Sequence, residues 1–397
     1  MTSTALQADR ATARPRLDRL GALIALLAAG AALLLPFAIA RANRIVPGEG
    51  IGLSSALPPV EAVALALVLA VAIGIAVVRT PIWIRLAASL VVLAALAIAI
   101  GRSASFLTPE GNTFARVSPG AGFWLLTFAF ALLLADALTR ARLGPVARVA
   151  ILAAVGAGLA ALLWSGAWND LSILREYANR QAVFWNEAQR HVILAFGSLA
   201  AATAVGVPVG IACQRIPRLR TTVLNLLNMI QTIPSIALFG LLIAPLAWVA
   251  ANVPGASAIG ISGIGVAPAL IALFGYALLP VVANTVVGIE GVPPAAVDAA
   301  RGMGMTSAQR LFEVELPLAF PVILTGIRIV LVQNIGLATI AALIGGGGFG
   351  TFVFLGISQT AMDLVLLGAV PTVALALSAA IVLDAAVELA QGKRAAP

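Results

Sequence analysis

A chain of 397 residues that is 61% hydrophobic and only 10% charged, with a mean hydropathy of +1.06, has far more apolar surface than a water-soluble fold could bury; soluble domains run at about 45–50% apolar and about 25% charged. Its net charge of +8 comes from arginines set singly between apolar runs. There is no basic stripe with interleaved aromatics, so the composition excludes a nucleic-acid partner and indicates an integral membrane protein whose arginines control topology.

Taken in order, the tail Met1–Leu20 is polar and arginine-bearing, and the first apolar run reads as a retained span rather than a cleaved signal. A helix needs about 20 apolar residues to cross the hydrocarbon core. That rule predicts ten spans, at 21–40, 58–78, 86–101, 121–138, 148–165, 191–213, 221–250, 265–289, 317–343 and 364–388. The runs lack the alternating polarity of barrel strands. The fold class expected is therefore all-α, a polytopic membrane helix bundle.

The chain divides into an N-terminal membrane region (1–165), a polar stretch (166–190) and a second membrane region (191–397). The stretch at 170–188 reads either as an amphipathic surface helix or as a simple extramembrane linker. With the N-terminus inside, seven Lys/Arg fall outside (Arg41, Arg44, Arg102, Arg116, Arg175, Arg180 and Arg190). Arg328 falls within a span, and the other sixteen of the 24 fall inside. The bias predicts N-in and C-in.

Chemistry-bearing residues are few. The lone Cys213 excludes an intramolecular disulfide and a cysteine metal cluster. The lone His191 reads as an interfacial polar residue at the start of a span rather than a metal ligand. Asn225, Asn228 and Thr232 share one helix face, with Gln231 beside them. Amides in lipid must bond across helices or face water, so these residues, with Asn284, Gln333 and Asn334, either line a path or join helices. Arg328 lies deep enough to need a partner or a wet cavity. Glu61, Asp136, Asp384 and Glu388 lie near span ends, where snorkelling, capping or interfacial exposure accounts for them. Gly345–Gly350 lacks the lysine of a phosphate loop, so it reads as a flexible turn or as backbone that approaches a docked protein or a gate. No Walker motif, paired carboxylates, triad or metal-ligand spacing is present; the chain is expected to be no enzyme and to bind no cofactor, with its energy source on another subunit.

The most informative segment is a polar island between two spans. Pro293-Pro294 suits a helix start, and Ala295 to Arg301 forms helix readily. Gly302 and Gly304 supply a left-handed stop. Thr306 with Gln309 makes a capping box for a second short helix, and Pro317 begins the next span. Ala299 and Ala300 are small enough to let another surface approach.

Asp298-Ala299-Ala300, three residues, Gly304, nine residues, Val314, one residue, Leu316-Pro317 resembles the Glu-Ala-Ala motif of ABC-importer permeases, with Asp for Glu and Val for Ile as the two departures. Asn228–Ser235, Ala272–Pro280, Ala299–Met305 and Ile335–Gly350 are similar to the osmoprotectant (glycine betaine/choline) subgroup, over about 190–390, and the first five spans resemble the extra N-terminal membrane region of a longer subgroup. The resemblance implies a five-helix Type I importer permease core whose coupling helix, near 293–315, docks on a cytoplasmic ATPase subunit through Asp298, Ala299, Ala300, Arg301, Gly304, Val314, Leu316 and Pro317. It also implies ATP-Mg on that partner, a second permease copy or homologous permease, a periplasmic or lipoprotein solute-binding protein, and a place in the bacterial cytoplasmic (inner) membrane. An amino-acid or other small-solute permease, and an ion-coupled secondary transporter, are the alternatives.

Overall fold

In a computed structural model, residues 17–43, 46–109, 111–112 and 114–392 are described. Of the charges used for orientation, Arg10, Arg14, Arg16, Arg44, Lys393 and Arg394 lie outside the described residues. The helices are α1 (Arg19–Leu34), α2 (Pro59–Val77), α3 (Ile82–Leu107), α4 (Ala121–Ala141), α5 (Pro145–Trp164), α6 (Ser172–Asn179), α7 (Gln181–Val192), α8 (Ser198–Arg215), α9 (Pro217–Thr232), α10 (Ser235–Leu241), α11 (Ile243–Asn252), α12 (Val266–Glu290), α13 (Pro294–Gly302), α14 (Ser307–Gln309), α15 (Leu316–Ile340), α16 (Gly350–Ser358) and α17 (Met362–Gly392). Three short strands join them: β1 (Ala38–Arg41), β2 (Glu49–Ile51) and β3 (Arg116–Pro119). Among the described residues, nine helical stretches are long and apolar enough to cross a membrane, and α1 is a shorter apolar helix. The bundle is thus helical and polytopic. The chain forms two compact units, one of 1–143 with 155–175 and the other of 144–154 with 176–397.

In the first unit, α1 is capped by Asp18, whose carboxylate accepts the N–H groups of Leu20 and Gly21 at 3.1 and 3.3 Å. At 16 residues α1 spans only ~24 Å, so the expected span 21–40 ends early. Pro36 stops it, because proline disfavours helical backbone at the residue before it. The chain then enters β1, which pairs antiparallel with both β2 and β3. This small sheet was not expected from the sequence. The span expected at 86–101 is instead the 26-residue α3. Arg85 and Arg102, which interrupt the apolar run, do not end the helix because each is paired: Arg85 with Asp18 at 2.6 Å, and Arg102 with Glu61 at 2.7 Å. Glu61 and Asp136 are therefore ion-pair partners rather than snorkelling or capping groups, Asp136 meeting Arg140 at 2.9 Å. Burial alone would raise the Asp18 pKa; the Gly21 N–H and the Arg85 guanidinium outweigh it and hold the carboxyl below its ordinary value. Ile24, Phe37, Leu65, Leu96 and Phe130 anchor the core, and Phe37 meets Phe123 edge-on at 5.9 Å.

In the second unit, α7, a π turn (Ile193–Gly197) and α8 run as one helical stretch of 35 residues. The span expected to begin at residue 191 thus begins ten residues earlier, and 170–188 is helical in α6 and α7. Close backbone approach builds the bundle. A Cβ on Gly206 would lie 2.8 Å from Val281 Cγ1, and one on Gly210 would lie 2.6 Å from Thr285 Cβ, so only glycine lets α8 pack this tightly on α12. Arg328 finds Asp384 on α17, and Asp384 also takes Arg148 at 2.7 Å, with Glu388 on the same arginine. Asp384 and Glu388 are paired, not merely interfacial.

The span expected at 221–250 is broken. Helix α9 ends at Thr232, Pro234 follows, and the apolar helix resumes as α10 and α11. A reciprocal pair of bonds fixes the break to α12. Pro280 has no N–H to offer the carbonyl four residues back. That carbonyl, Tyr276 O, instead accepts the Gln231 amide at 2.9 Å, while the Tyr276 hydroxyl donates to Ile233 O. Gln231→Leu is expected to cost about 1–3 kcal/mol, since Tyr276 O is then left without a donor. Adding Pro280→Ala restores a backbone N–H and should recover part of that loss. Thermal unfolding of the two variants and the double variant measures the coupling.

Candidate functional site

The polar island is a helix held out from the bundle on two legs. Pro293 precedes α13 with φ −55° and ψ 128°, and Pro294 occupies its first turn. The helix closes in a Schellman arrangement: Met305 N–H donates to Ala300 O at 3.1 Å and Gly304 N–H to Arg301 O at 3.0 Å. Gly304 has φ +79°, the left-handed value that this closure needs. Gly302 is still helical, so Gly304 alone makes the turn. Thr306 and Gln309 form the capping box, with Gln309 N–H on Thr306 Oγ1 at 3.3 Å and Thr306 N–H on Gln309 Oε1 at 2.9 Å. The second helix is not separate. It passes through a π turn (Arg310–Glu315) into α15 without a break, so the next span begins well before Pro317. Pro317 has no N–H for Glu313 O, which suits the wider π hydrogen-bonding just ahead of it.

The two faces of α13 differ. Val297 packs against Ile289, Val292, Ala319 and Ile323. Ala300 is buried and Ala299 exposed, so of the two small residues only Ala299 offers room to another surface. Asp298 and Arg301 pair at 3.1 Å on the exposed face, and Met303, 71% exposed, extends that face past the turn. Val314, Leu316 and Pro317 are half-buried at the base.

Ion pairs brace both legs. On one, Glu290 at the end of α12 meets Arg220 of α9. On the other, the buried Glu315 carboxylate takes Arg310 Nε and Arg215 of α8, each at 2.7 Å. Glu290 and Glu315 were not expected from the sequence; their signal was a carboxylate at each edge of the island, with Arg215 at the end of α8 and Arg220 in the first turn of α9.

The amides divide by environment. Asn334 is fully buried and donates to Ser198 Oγ at 2.8 Å, joining α15 to α8. Asn284 donates to Pro280 O at 2.8 Å, and a Cβ on Gly326 of α15 would lie 2.7 Å from Asn284 Cβ. Gln231 is engaged with Tyr276, as above. Gln333 is half-buried. Asn225, Asn228 and Thr232 stand together on the exposed face of α9; Thr232 donates to Met229 O at 2.7 Å.

The glycine run is neither a floppy turn nor free backbone. Gly347 and Gly348 have φ +76° and +87° and lie against α7. Glu187 accepts Gly348 N–H at 2.5 Å and the Thr351 hydroxyl at 3.3 Å, and His191 Nδ1 accepts Phe349 N–H at 3.3 Å. A Cβ on Gly347 would lie 2.7 Å from Glu187 Oε2. His191 is fully buried rather than interfacial, its ring tilted 38° to that of Phe349 with centroids 4.9 Å apart. Glu187→Ala removes a charged acceptor, so the amides of residues 348–351 are expected to exchange about 10- to 100-fold faster by hydrogen–deuterium exchange.

Comparison with known proteins accounts for both halves of the chain. Residues 206–393 match the family described as binding-protein-dependent transport system inner membrane component, and residues 18–174 match the N-terminal domain of ABC transporter permease YehY. The osmoprotectant import permease protein OsmW of Salmonella typhimurium is 44% identical over 180 residues, 45% of this chain and 79% of that one. The carnitine transport permease protein OpuCB of Listeria monocytogenes is 38% identical over 188 residues, 47% and 79% of the two chains. The choline transport system permease protein OpuBB of Bacillus subtilis is 36% identical over 203 residues, 51% and 84%. With relatives at this identity aligned over more than three-quarters of their length, the chain belongs to the binding-protein-dependent inner-membrane permeases of ABC transporters.

Proposed function

We propose that this chain is the translocation subunit of an ATP-driven importer for quaternary-ammonium osmoprotectants of the glycine betaine, choline and carnitine kind. The solute class rests on the relatives, whose names give osmoprotectant, carnitine and choline transport. The observation that carries the coupling mechanism is the braced α13, an exposed helix whose legs are continuous with α12 and α15 and tied by ion pairs to the α8–α9 turn.

A separate cytoplasmic ATPase subunit, which holds ATP-Mg, grips Asp298, Ala299, Arg301 and Met303. Gly304 shapes the grip, and Ala300, Val314, Leu316 and Pro317 seat it. Closure of two such ATPases pulls α13, and the two braces pass the movement to α8 and α9. The exposed Asn225, Asn228 and Thr232 then face a second permease across the translocation path. Asn284, Gln333 and Asn334, with Gln231, hold the helices that bound it. A periplasmic or lipoprotein receptor delivers solute to the outer face. Residues 1–165 are accessory, and the chain lies N-in and C-in in the bacterial inner membrane. An ion-coupled carrier would use carboxylates or broken-helix carbonyls near the midplane; Asp384 and Glu388 lie toward one end of α17 and are held by Arg328 and Arg148.

Quaternary ammonium groups donate no hydrogen bonds and are recognised by aromatic faces. The helices of the proposed path are poor in aromatics, so the receptor sets most of the affinity. Uptake of labelled glycine betaine, choline and carnitine by the reconstituted complex tests the reading. ATP- and receptor-dependent uptake of one of them is expected; uptake of amino acids alone would contradict it.

A further inference from the structure

Four arginines converge on a cavity of about 600 Å³ where the ends of α1, α2, α3 and α4 meet in the first unit: Arg19, Arg79, Arg85 and Arg140 line it, with Asp18 and Thr80. Topology alone calls for arginines near span ends, but not for four around one hollow. Two of them are balanced. Arg85, only 3% exposed, holds Asp18 at 2.6 Å and donates to the carbonyls of Ala76 and Val78 at 3.1 Å, and its Nε has no hydrogen-bond partner among the described residues. Arg140 is held by Asp136 at 2.9 Å. Arg19 and Arg79 are exposed at the rim, and no ion pair is formed by either among the described residues. Two positive charges are therefore in excess at a concave, largely polar mouth, an arrangement that focuses potential on an anion.

We propose that this cavity seats a phosphate group. Guanidinium forks match tetrahedral oxyanions through paired N–H donors, and the hollow lies where apolar helices end, the depth of phospholipid headgroups. Basic pockets between membrane helices take anionic headgroups in the same way. The phosphodiester of an anionic phospholipid fits this placement, with Arg19 and Arg79 closing on it from the rim and Arg85 forming the floor. The seat is independent of the transported solute.

The test uses the full chain in detergent, with phosphatidylglycerol, phosphatidylcholine and inorganic phosphate as probes, read by native mass spectrometry. Arg19→Gln/Arg79→Gln removes the two unpaired charges, and since neither holds a structural ion pair the variant should fold; circular dichroism checks this. Arg102→Gln, which breaks an exposed pair outside the cavity, is the control. Wild type and the control are expected to bind phosphatidylglycerol at least about tenfold tighter than the double variant does, and tighter than they bind phosphatidylcholine. If inorganic phosphate shows the same dependence on Arg19 and Arg79 while phosphatidylglycerol does not, the phosphate seat stands and its ligand is soluble. If the double variant binds both probes as wild type does, or wild type binds neither, the proposal is overturned.

Discussion

Gly304→Pro is expected to abolish uptake and the stimulation of the partner ATPase while leaving the chain inserted in the membrane. Three features of the turn are lost together. Proline fixes φ near −65° where Gly304 has +79°. It has no N–H to donate to Arg301 O, and it disfavours the helical backbone of Met303, which caps α13. The sum is about 3 kcal/mol or more against the closed turn, enough to lower its population by ~100-fold. Gly304→Ala keeps the N–H and carries only the left-handed penalty of about 1–2 kcal/mol. Uptake should therefore fall in the order wild type, alanine, proline, whereas the spans themselves, packed elsewhere, keep their stability. Uptake and ATPase rates of the reconstituted complex, with insertion checked by protease protection, measure the series. A proline variant with normal ATPase stimulation would remove α13 from the coupling path.

Glu315→Ala is the second large effect. The Glu315 side chain is only 6% exposed and takes Arg310 and Arg215 at once. Its removal leaves the mostly buried Arg310 and the half-exposed Arg215 without their counter-charge; deleting one partner of a buried pair costs about 3–5 kcal/mol. Glu313→Ala, two residues away and exposed, should change stability by no more than about 0.5 kcal/mol. Thermal unfolding in detergent distinguishes the two. Because Glu315 ties the base of α15 to α8, its loss should also weaken ATPase stimulation in the protein that remains folded.

The sequence made some of this legible and hid the rest, for physical reasons. Turn chemistry is local, so the helix start at Pro294, the stop at Gly304 and the Thr306–Gln309 capping box could all be read from residue types a few positions apart. Hydropathy located the spans but not their ends. It stopped at Arg85 and Arg102 because a charge alone is costly in lipid, while the acids that neutralise them, Asp18 and Glu61, come from other helices. It ran through Ile233–Pro234 because the mark there, Pro234, is ambiguous: Pro208 and Pro321 sit inside unbroken helices, and the contacts that fix this break come from Tyr276 and Pro280, more than 40 residues on. The two braces and the Glu187–His191 contacts with the glycine run are likewise long-range pairs. A carboxylate near a span end has several readings until its partner is known. The small sheet of β1, β2 and β3 escaped because strands of three or four residues leave almost no periodic signal.

Cysteine crosslinking tests the central claim most directly. The one native cysteine, Cys213, is fully buried and leaves a quiet background. Met303→Cys on the exposed shoulder of α13 should crosslink to the ATPase subunit, with a yield that changes between nucleotide-free and ATP-bound complexes. Ile259→Cys, exposed between α11 and α12, should not. No crosslink from Met303→Cys in an assembled, active complex, or its labelling by a membrane-impermeant reagent from the outer face, would contradict the account.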